Sequence, residues 1–421
     1  MISPKIMMAI ATTISLPLFA DVCVEDVKCT QRYPWNGLVD IEYTIACDDP
    51  EADIYVNPVG FNGDTGLTVF PTHFTGDGAT NTVRAGKHTM VWDARADMGL
   101  FASKNFQIKL YAGKTLAPYL VVDLSSGPNG DNFPIRYSLT GPDISDDTCR
   151  TTELWLRLIP PGSFMMGSPA DELGRSDNED LHKVTITEPF YIGVFEVTHE
   201  QWYRVKNGWC LAGDTHKCYP VQDPTSYYYL RGHVQDHRPN ETTVVSDGFF
   251  GRLRAKTDVN GFDLPTEAQW EYACRLGVET ALNSGKNLTG IRGCNNMNEV
   301  GCYYVNGYNG GDSSFNNGHV PTVKVGSYAP NAYGLYDMHG NVAEMCRDAW
   351  SDHLGTSEAT NPLPIGVINN NAWDYWHCVV KGGNWSSQAG ECRAAARVKC
   401  QMTYSTDRNG FRVACTGNLQ K

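Results

Sequence analysis

The 421-residue sequence lacks basic excess: 34 Lys and Arg stand against 47 Asp and Glu, a formal charge of −13. Nucleic acid and anionic membranes are recognised by basic surfaces, so the composition argues against both as main partners. Calcium or basic peptides suit it better. Long apolar runs are also missing. The longest, Ile6 to Phe19, follows Lys5 and precedes Ala20. It falls short of the ~20 residues that span a bilayer and has the layout of an export signal, so residues 1–20 are expected to be a signal peptide and the rest a secreted or periplasmic soluble protein. Long amphipathic helical patterns are few, and the Gly/Asn-rich loop Asn306 to Gly318 has neither the lysine nor the following helix of a phosphate-binding loop.

What is present is 41 Gly, 10 Trp, 21 Tyr and 14 Cys. Such a composition predicts irregular backbone pinned by aromatics, too long for one core and divided into two domains. The cysteine count fits an oxidising compartment. Pairing does not follow from sequence, but Cys210 with Cys218 and Cys294 with Cys302 each close a short loop, while Cys274, inside a predicted helix, reads as a buried free thiol.

Short strand-like runs follow the signal at Val39 to Ile45, Ile54 to Phe61, Thr68 to Phe74, His88 to Trp92 and Phe106 to Tyr111. Asp, Gly, Asn and Pro clusters separate them, which predicts a β-sandwich (Ig-like) domain over 21–124. The acidic run Asp48, Asp49, Glu51 and Asp53 reads as a solvated loop. A Ser/Gly/Pro/Asn/Asp-rich stretch, 125–149, is the expected linker, and 150–421 the second domain. There, strands are expected at Leu154 to Ile159, Val184 to Ile186 and Tyr191 to Val197. Helices should start at the capping-box pairs Thr198/Gln201 and Thr266/Gln269. Between them, Asn207 to Gly261 reads as a long functional or packing loop. His233 and His237 have metal-ligand spacing, but no third ligand is near, and surface histidines are the better reading.

The stretch Asn331 to Trp350, NAYGLYDMHGNVAEMCRDAW, reads as a compact turn. Gly334, Gly340 and Asn341 tolerate positive φ, and Glu344 follows with a carboxylate. Carbonyl oxygens beside a carboxylate suit a hard cation such as calcium; the same stretch also reads as a rigid loop packed by Tyr333, Tyr336 and Trp350.

With PPGSFMMGS at 160–168, FEVTHEQW at 195–202, LPTEAQWEYACR at 264–275, VKGGNW at 380–385 and NGFRVA at 409–414, this turn completes an ordered motif set. The set resembles the sulfatase-modifying factor family, typified by the formylglycine-generating enzymes. The resemblance implies an α+β, C-type-lectin-like formylglycine-generating-enzyme fold behind the N-terminal β-sandwich, with structural calcium held by Glu344 and the carbonyls of Gly340 and Val342. It also implies an oxidase that acts on a sulfatase cysteine through two Cu(I)-binding thiolates, five residues apart after the KGG turn. Counted from Lys381, these positions fall on Ser387 and Cys392. A serine hydroxyl does not replace a thiolate for Cu(I), so copper is not expected, and Cys392 remains the only catalytic candidate; Cys400 is the alternative displaced ligand. Asn384 and Arg408 depart from the family pattern at substrate-binding positions, as does Met345 after Glu344. Relatives with a CR-type segment further imply a Cys346–Cys392 disulfide. The expectation is a calcium-braced binding module for a protein or glycan; the alternative is an oxidase that matures sulfatases, with a sulfatase peptide as partner.

Overall fold

The computed structural model describes residues 22–34, 36–99, 105–207, 216–222, 226–232, 244–307, 322–363 and 377–417. The expected signal, Cys210, His233, His237 and most of the loop Asn306 to Gly318 lie outside them. Among the described residues no helix is long and apolar enough to cross a membrane.

In the strand Leu38–Cys47, Val39, Ile41, Tyr43 and Ile45 alternate inward, the period-two pattern of a half-buried strand. It pairs antiparallel with Val22–Gln31 on one side and Gly86–Asp93 on the other, and Phe74–Gly76 completes this sheet. A second sheet orders Leu67–Val69, Tyr55–Asn62 and Phe106–Gly113. One apolar cluster joins the two layers, with the Trp92 ring stacked on Phe106 at 5.4 Å. The expected run Thr68 to Phe74 divides into two strands in different sheets.

The second unit is built on a six-stranded sheet, in the order Phe262–Asp263, Ala414–Thr416, Phe190–Gly193, Glu153–Ile159, Tyr119–Asp123, Ile135–Ser138. This moves the expected boundary. Tyr119–Asp123 pairs with Glu153–Ile159, and the stretch read as a linker over 125–149 holds the strand Ile135–Ser138 and the start of the helix Thr148–Thr151. The reason is burial: Leu120, Val122 and Leu124 are fully enclosed in the second unit's core, which a solvated linker would forbid.

Both capping boxes form. Thr198 Oγ1 accepts from Gln201 N at 3.2 Å and starts His199–Lys206; Thr266 Oγ1 accepts from Gln269 N at 3.1 Å and starts Glu267–Arg275. The long loop expected over 207–261 contains two further helices, Tyr227–Arg231 and Phe249–Thr257. Phe249 stacks on Trp202 at 5.5 Å and meets Phe411 edge-on. A four-stranded sheet, Arg397–Gln401, His377–Lys381, Ala343–Ala349 and Asn409–Gly410, carries the site residues.

The two units interlock. Phe70 enters the second unit's core, edge-on to Tyr272 and Tyr333 at 5.5 and 5.4 Å, and Thr68 Oγ1 accepts from Ser163 N at 2.7 Å. A Cβ on Gly162 would overlap both the Tyr272 hydroxyl and Thr68, so the approach needs glycine there.

Candidate calcium turn and thiol site

Asn331 opens the turn by stitching it to a helix end. Its amide donates to the Ala273 and Cys274 carbonyls at 2.8 and 3.2 Å, and its Oδ1 accepts from Tyr333 N and Leu335 N, both at 3.1 Å. The chain then passes through left-handed conformations at Gly334, Asp337, Gly340 and Asn341. Gly340 has φ +83°, and a Cβ there would overlap the Cys302 carbonyl, so backbone geometry and close approach both require glycine. Around it Gly340 N donates to Gly382 O, Asn341 N to Cys302 O and Trp385 N to Asn341 O, at 2.7, 2.7 and 2.9 Å. The turn is thereby bonded directly to the KGGNW segment.

Below the turn lie three buried carboxylates, with the Arg412 guanidinium among them and the buried Arg150 acting on Asp337. Glu344 takes Arg412 on both oxygens, at 2.6 and 2.8 Å, and Trp270 Nε1 at 2.7 Å. Glu196 accepts from Asn341 Nδ2 at 2.6 Å and Val342 N at 3.0 Å. Asp337 Oδ2 accepts from Gly326 N at 2.6 Å, whereas its Oδ1 is buried without a hydrogen-bond partner. Burial, with Asp337 and Glu344 nearby, pushes the Glu196 carboxyl well above the usual range. Burial likewise pushes Asp337 up to about 6. Burial outweighs the favourable charges of Arg412 and Arg150 on Asp337, whose Oδ1 is left without a hydrogen-bond partner.

Asp337, Glu344 and the carbonyls of Gly340 and Val342 are oxygen donors of the kind a hard cation takes; Asp337 Oδ1 has no hydrogen-bond partner, whereas Arg412 and Trp270 already hold Glu344. Among the described residues no three His, Cys, Asp or Glu side chains form a metal-holding group, so such a site would depend on the backbone carbonyls. Sequence reasoning reached Glu344, Gly340 and Val342 but not Asp337 or Glu196. The carboxylate of Tyr336-Asp337 inside the Gly/Asn turn was the available signal for the first; Glu196 is distant in sequence and gave none.

His339, in the same turn, is fully buried and accepts at Nε2 from Asn283 N, 3.0 Å away, so its Nδ1 carries the proton and donates to Cys392 O at 2.7 Å. Burial lowers its pKa to about 4, which keeps the ring neutral.

The thiol positions differ from what copper needs. Ser387 is half-buried, in a turn where its N–H donates to Asn384 O at 2.9 Å and its carbonyl accepts from Tyr304 N at 2.9 Å. Ser386 closes on Asn384 Oδ1 through its N–H and hydroxyl. Cys392 ends the short helix Ala389–Cys392, fully buried, with its sulfur against Gly383. Burial pushes its thiol far above the ordinary value. A hydroxyl and an enclosed neutral thiol do not fit Cu(I). Arg408 stands over the Trp385 ring at 5.7 Å, and Trp385 Nε1 donates to Asp407 O at 3.0 Å. The structure thus sets Arg408 over Trp385, joins Asn384 and Ser387 in one turn, and encloses Cys392 apart from them.

The expected Cys346–Cys392 bridge is not formed. Both are free thiols, Cys346 among Trp270 and Val379, Cys392 among Leu282, Cys294 and Met297, so different apolar clusters hold them. Cys294 is a free thiol, and its sulfur accepts from Thr289 N at 3.4 Å. Cys218 is also free. Cys274 is the buried thiol expected of it, 3.8 Å from His339 Nε2.

A model of the sulfatase-modifying factor enzyme 1-like domain matches residues 144–416. The chain is 33% identical over 293 residues to a formylglycine-generating enzyme of Bos taurus, covering 61% of this chain and 73% of that protein. It is 29% identical over 290 residues to one of Thermomonospora curvata, covering 61% and 91%. It is 32% identical over 265 residues to the chaperone protein LppX of Paenibacillus barcinonensis, covering 58% and 80%. Among solved structures, PvdO from Pseudomonas aeruginosa aligns with TM-score 0.45 and 25% identity, over 62% of this chain and 94% of that one.

Proposed function

The chain belongs to the sulfatase-modifying factor family, with its C-type-lectin-like α+β fold, and from that premise we propose that it is a secreted or periplasmic member without the two-thiolate copper oxidase site. It acts as a calcium-braced binding module for a protein or glycan. The observation that carries this reading is the hydroxyl of Ser387 at the first thiolate position, with Cys392 enclosed and neutral at the second. Copper fits neither residue, and no catalytic step is assigned to them.

Calcium, when bound, would neutralise the buried carboxylates and hold the turn rigid. Asp337, Glu344 and the Gly340 and Val342 carbonyls would hold it. The surface formed by Asn384, Ser387 and Arg408, with the buried Trp385 ring under Arg408, is the binding face of this reading, since side chains on irregular backbone are positioned by the brace below. The appended β-sandwich supports docking rather than chemistry.

The likeness to formylglycine-generating enzymes supports a second reading, a sulfatase-maturing oxidase with a rearranged site. Cu(I) titration of the calcium-loaded protein separates the two. The binding-module reading expects no stoichiometric tight copper, and a mass-spectrometric assay with oxygen and copper should leave a sulfatase peptide's cysteine unoxidised. Tight one-to-one copper binding that disappears in Cys392→Ala would establish the oxidase instead.

A further inference from the structure

The strands His377–Lys381 and Arg397–Gln401 pair antiparallel with Cys378 directly opposite Cys400. Both side chains are buried in one apolar cluster, and each thiol shifts the other's titration, Cys378 upward and Cys400 downward. Asn409 Nδ2 also donates to Cys400 Sγ at 3.2 Å. Directly opposed residues of an antiparallel pair have Cα atoms about 4.5–5.5 Å apart, inside the range of about 4.4–6.8 Å that a disulfide spans. The backbone therefore need not move for these sulfurs to bond. Neither residue stands at the thiolate positions carried over from the family.

We infer that Cys378 and Cys400 form a cross-strand dithiol that becomes a disulfide by exchange with an external disulfide. Arg397–Gln401 is the edge strand of its sheet among the described residues, and Cys400 is 8% exposed where Cys378 is 0%, so Cys400 lies nearer solvent than Cys378 and is the first to meet a reagent when the edge strand opens. The interaction with the Cys378 thiol, joined by the hydrogen bond from Asn409, holds Cys400 below the usual thiol value against its burial. The same interaction, then burial, raises Cys378. Cys400 attacks first, as thiolate, and expels one half of the external disulfide as a thiolate. Cys378 gives up its proton and attacks the Cys400 sulfur of the mixed disulfide, releasing the other half. Two electrons leave the cysteine pair, the external disulfide is reduced to two thiols, and these take up the two protons.

The bond would tie the edge strand, which leads into the Arg408 turn, to the strand that feeds Lys381 and Asn384. Cys346 is the competing partner, since it also acts electrostatically on Cys378, but it packs in the other core cluster.

The test treats the full-length protein with oxidised glutathione, quenches with acid, alkylates under denaturant and maps peptides by mass spectrometry. The expected result is a peptide pair joined through Cys378 and Cys400, with both escaping alkylation together. Cys378→Ser should leave a glutathione adduct on Cys400, and Cys400→Ser should leave Cys378 alkylated and without adduct. Wild-type protein in which both residues remain fully alkylated, or in which Cys378 is joined to Cys346, overturns the inference.

Discussion

Asp337 uses only half of its carboxylate. One oxygen is bonded to Gly326 N and the other is enclosed without a partner. If calcium completes this oxygen, the folded state binds the ion and the unfolded chain does not, so stability rises by about 2.7 kcal/mol at one hundred times the dissociation constant. Thermal melts in calcium and in chelator should differ for wild type and coincide for Asp337→Asn; an undiminished calcium shift in the variant would remove Asp337 from the site. Gly340 makes a different demand. At φ +83° and against the Cys302 carbonyl, Gly340→Ala brings both backbone strain and overpacking, each about 1–3 kcal/mol. Urea unfolding should show a loss of at least about 2 kcal/mol, with or without calcium. At this scale the glycine-dependent turn was legible, because positive-φ residues announce themselves. Glu196 was not, since its position under the turn depends on tertiary pairing 146 residues away along the chain.

The helix Glu267–Arg275 and the strand Ala343–Ala349 meet at Asp348, which accepts from Glu267 N at 2.6 Å. Burial, then the Glu267 charge, pushes Asp348 up to about 8. A carboxyl raised above its unfolded value of 3.8 binds its proton more tightly when folded. Its stabilising contribution is complete below about pH 4 and is lost as pH rises through about 8. Relative to Asp348→Asn, wild type should lose on the order of a few kcal/mol between pH 4 and 8, measured by denaturant unfolding at each pH. Parallel pH curves would refute the raised pKa. Helices at this scale were readable where the cap is local, as with Thr198/Gln201 and Thr266/Gln269. Phe249–Thr257 escaped notice because its apolar residues gather at one end and its N-cap, Gly248, forms no side-chain cap hydrogen bond. The expected Cys346–Cys392 bridge is absent for a related reason: motif likeness says which cysteines a family pairs, while packing and strand register decide which sulfurs meet.

For the whole molecule, the question is whether the two units melt together. Phe70 is 8% exposed and packs on Tyr272 and Tyr333 across the junction. Truncating a buried Phe costs about 3–5 kcal/mol, and here the loss falls on the coupling between units. Calorimetry should show one transition for wild type and two for Phe70→Ala; a single transition in both would mean the coupling lies elsewhere. The composition change near 125 was visible in sequence but marked the wrong place, because polar turns there sit between strands of one sheet. The actual passage is short. The strand Phe106–Gly113 belongs to the sandwich and Tyr119–Asp123 to the second unit.

Leu116 and Ala117 between them are buried, and the Thr115 and Ala117 carbonyls both accept from the Tyr191 hydroxyl, at 2.8 and 2.7 Å. The connection is therefore a weld and not a tether. Anything captured by the N-terminal sandwich would be held at a fixed bearing to the Asn384–Arg408 face, so a bivalent partner would be selected by the spacing and angle of its two epitopes as much as by its affinity for either one.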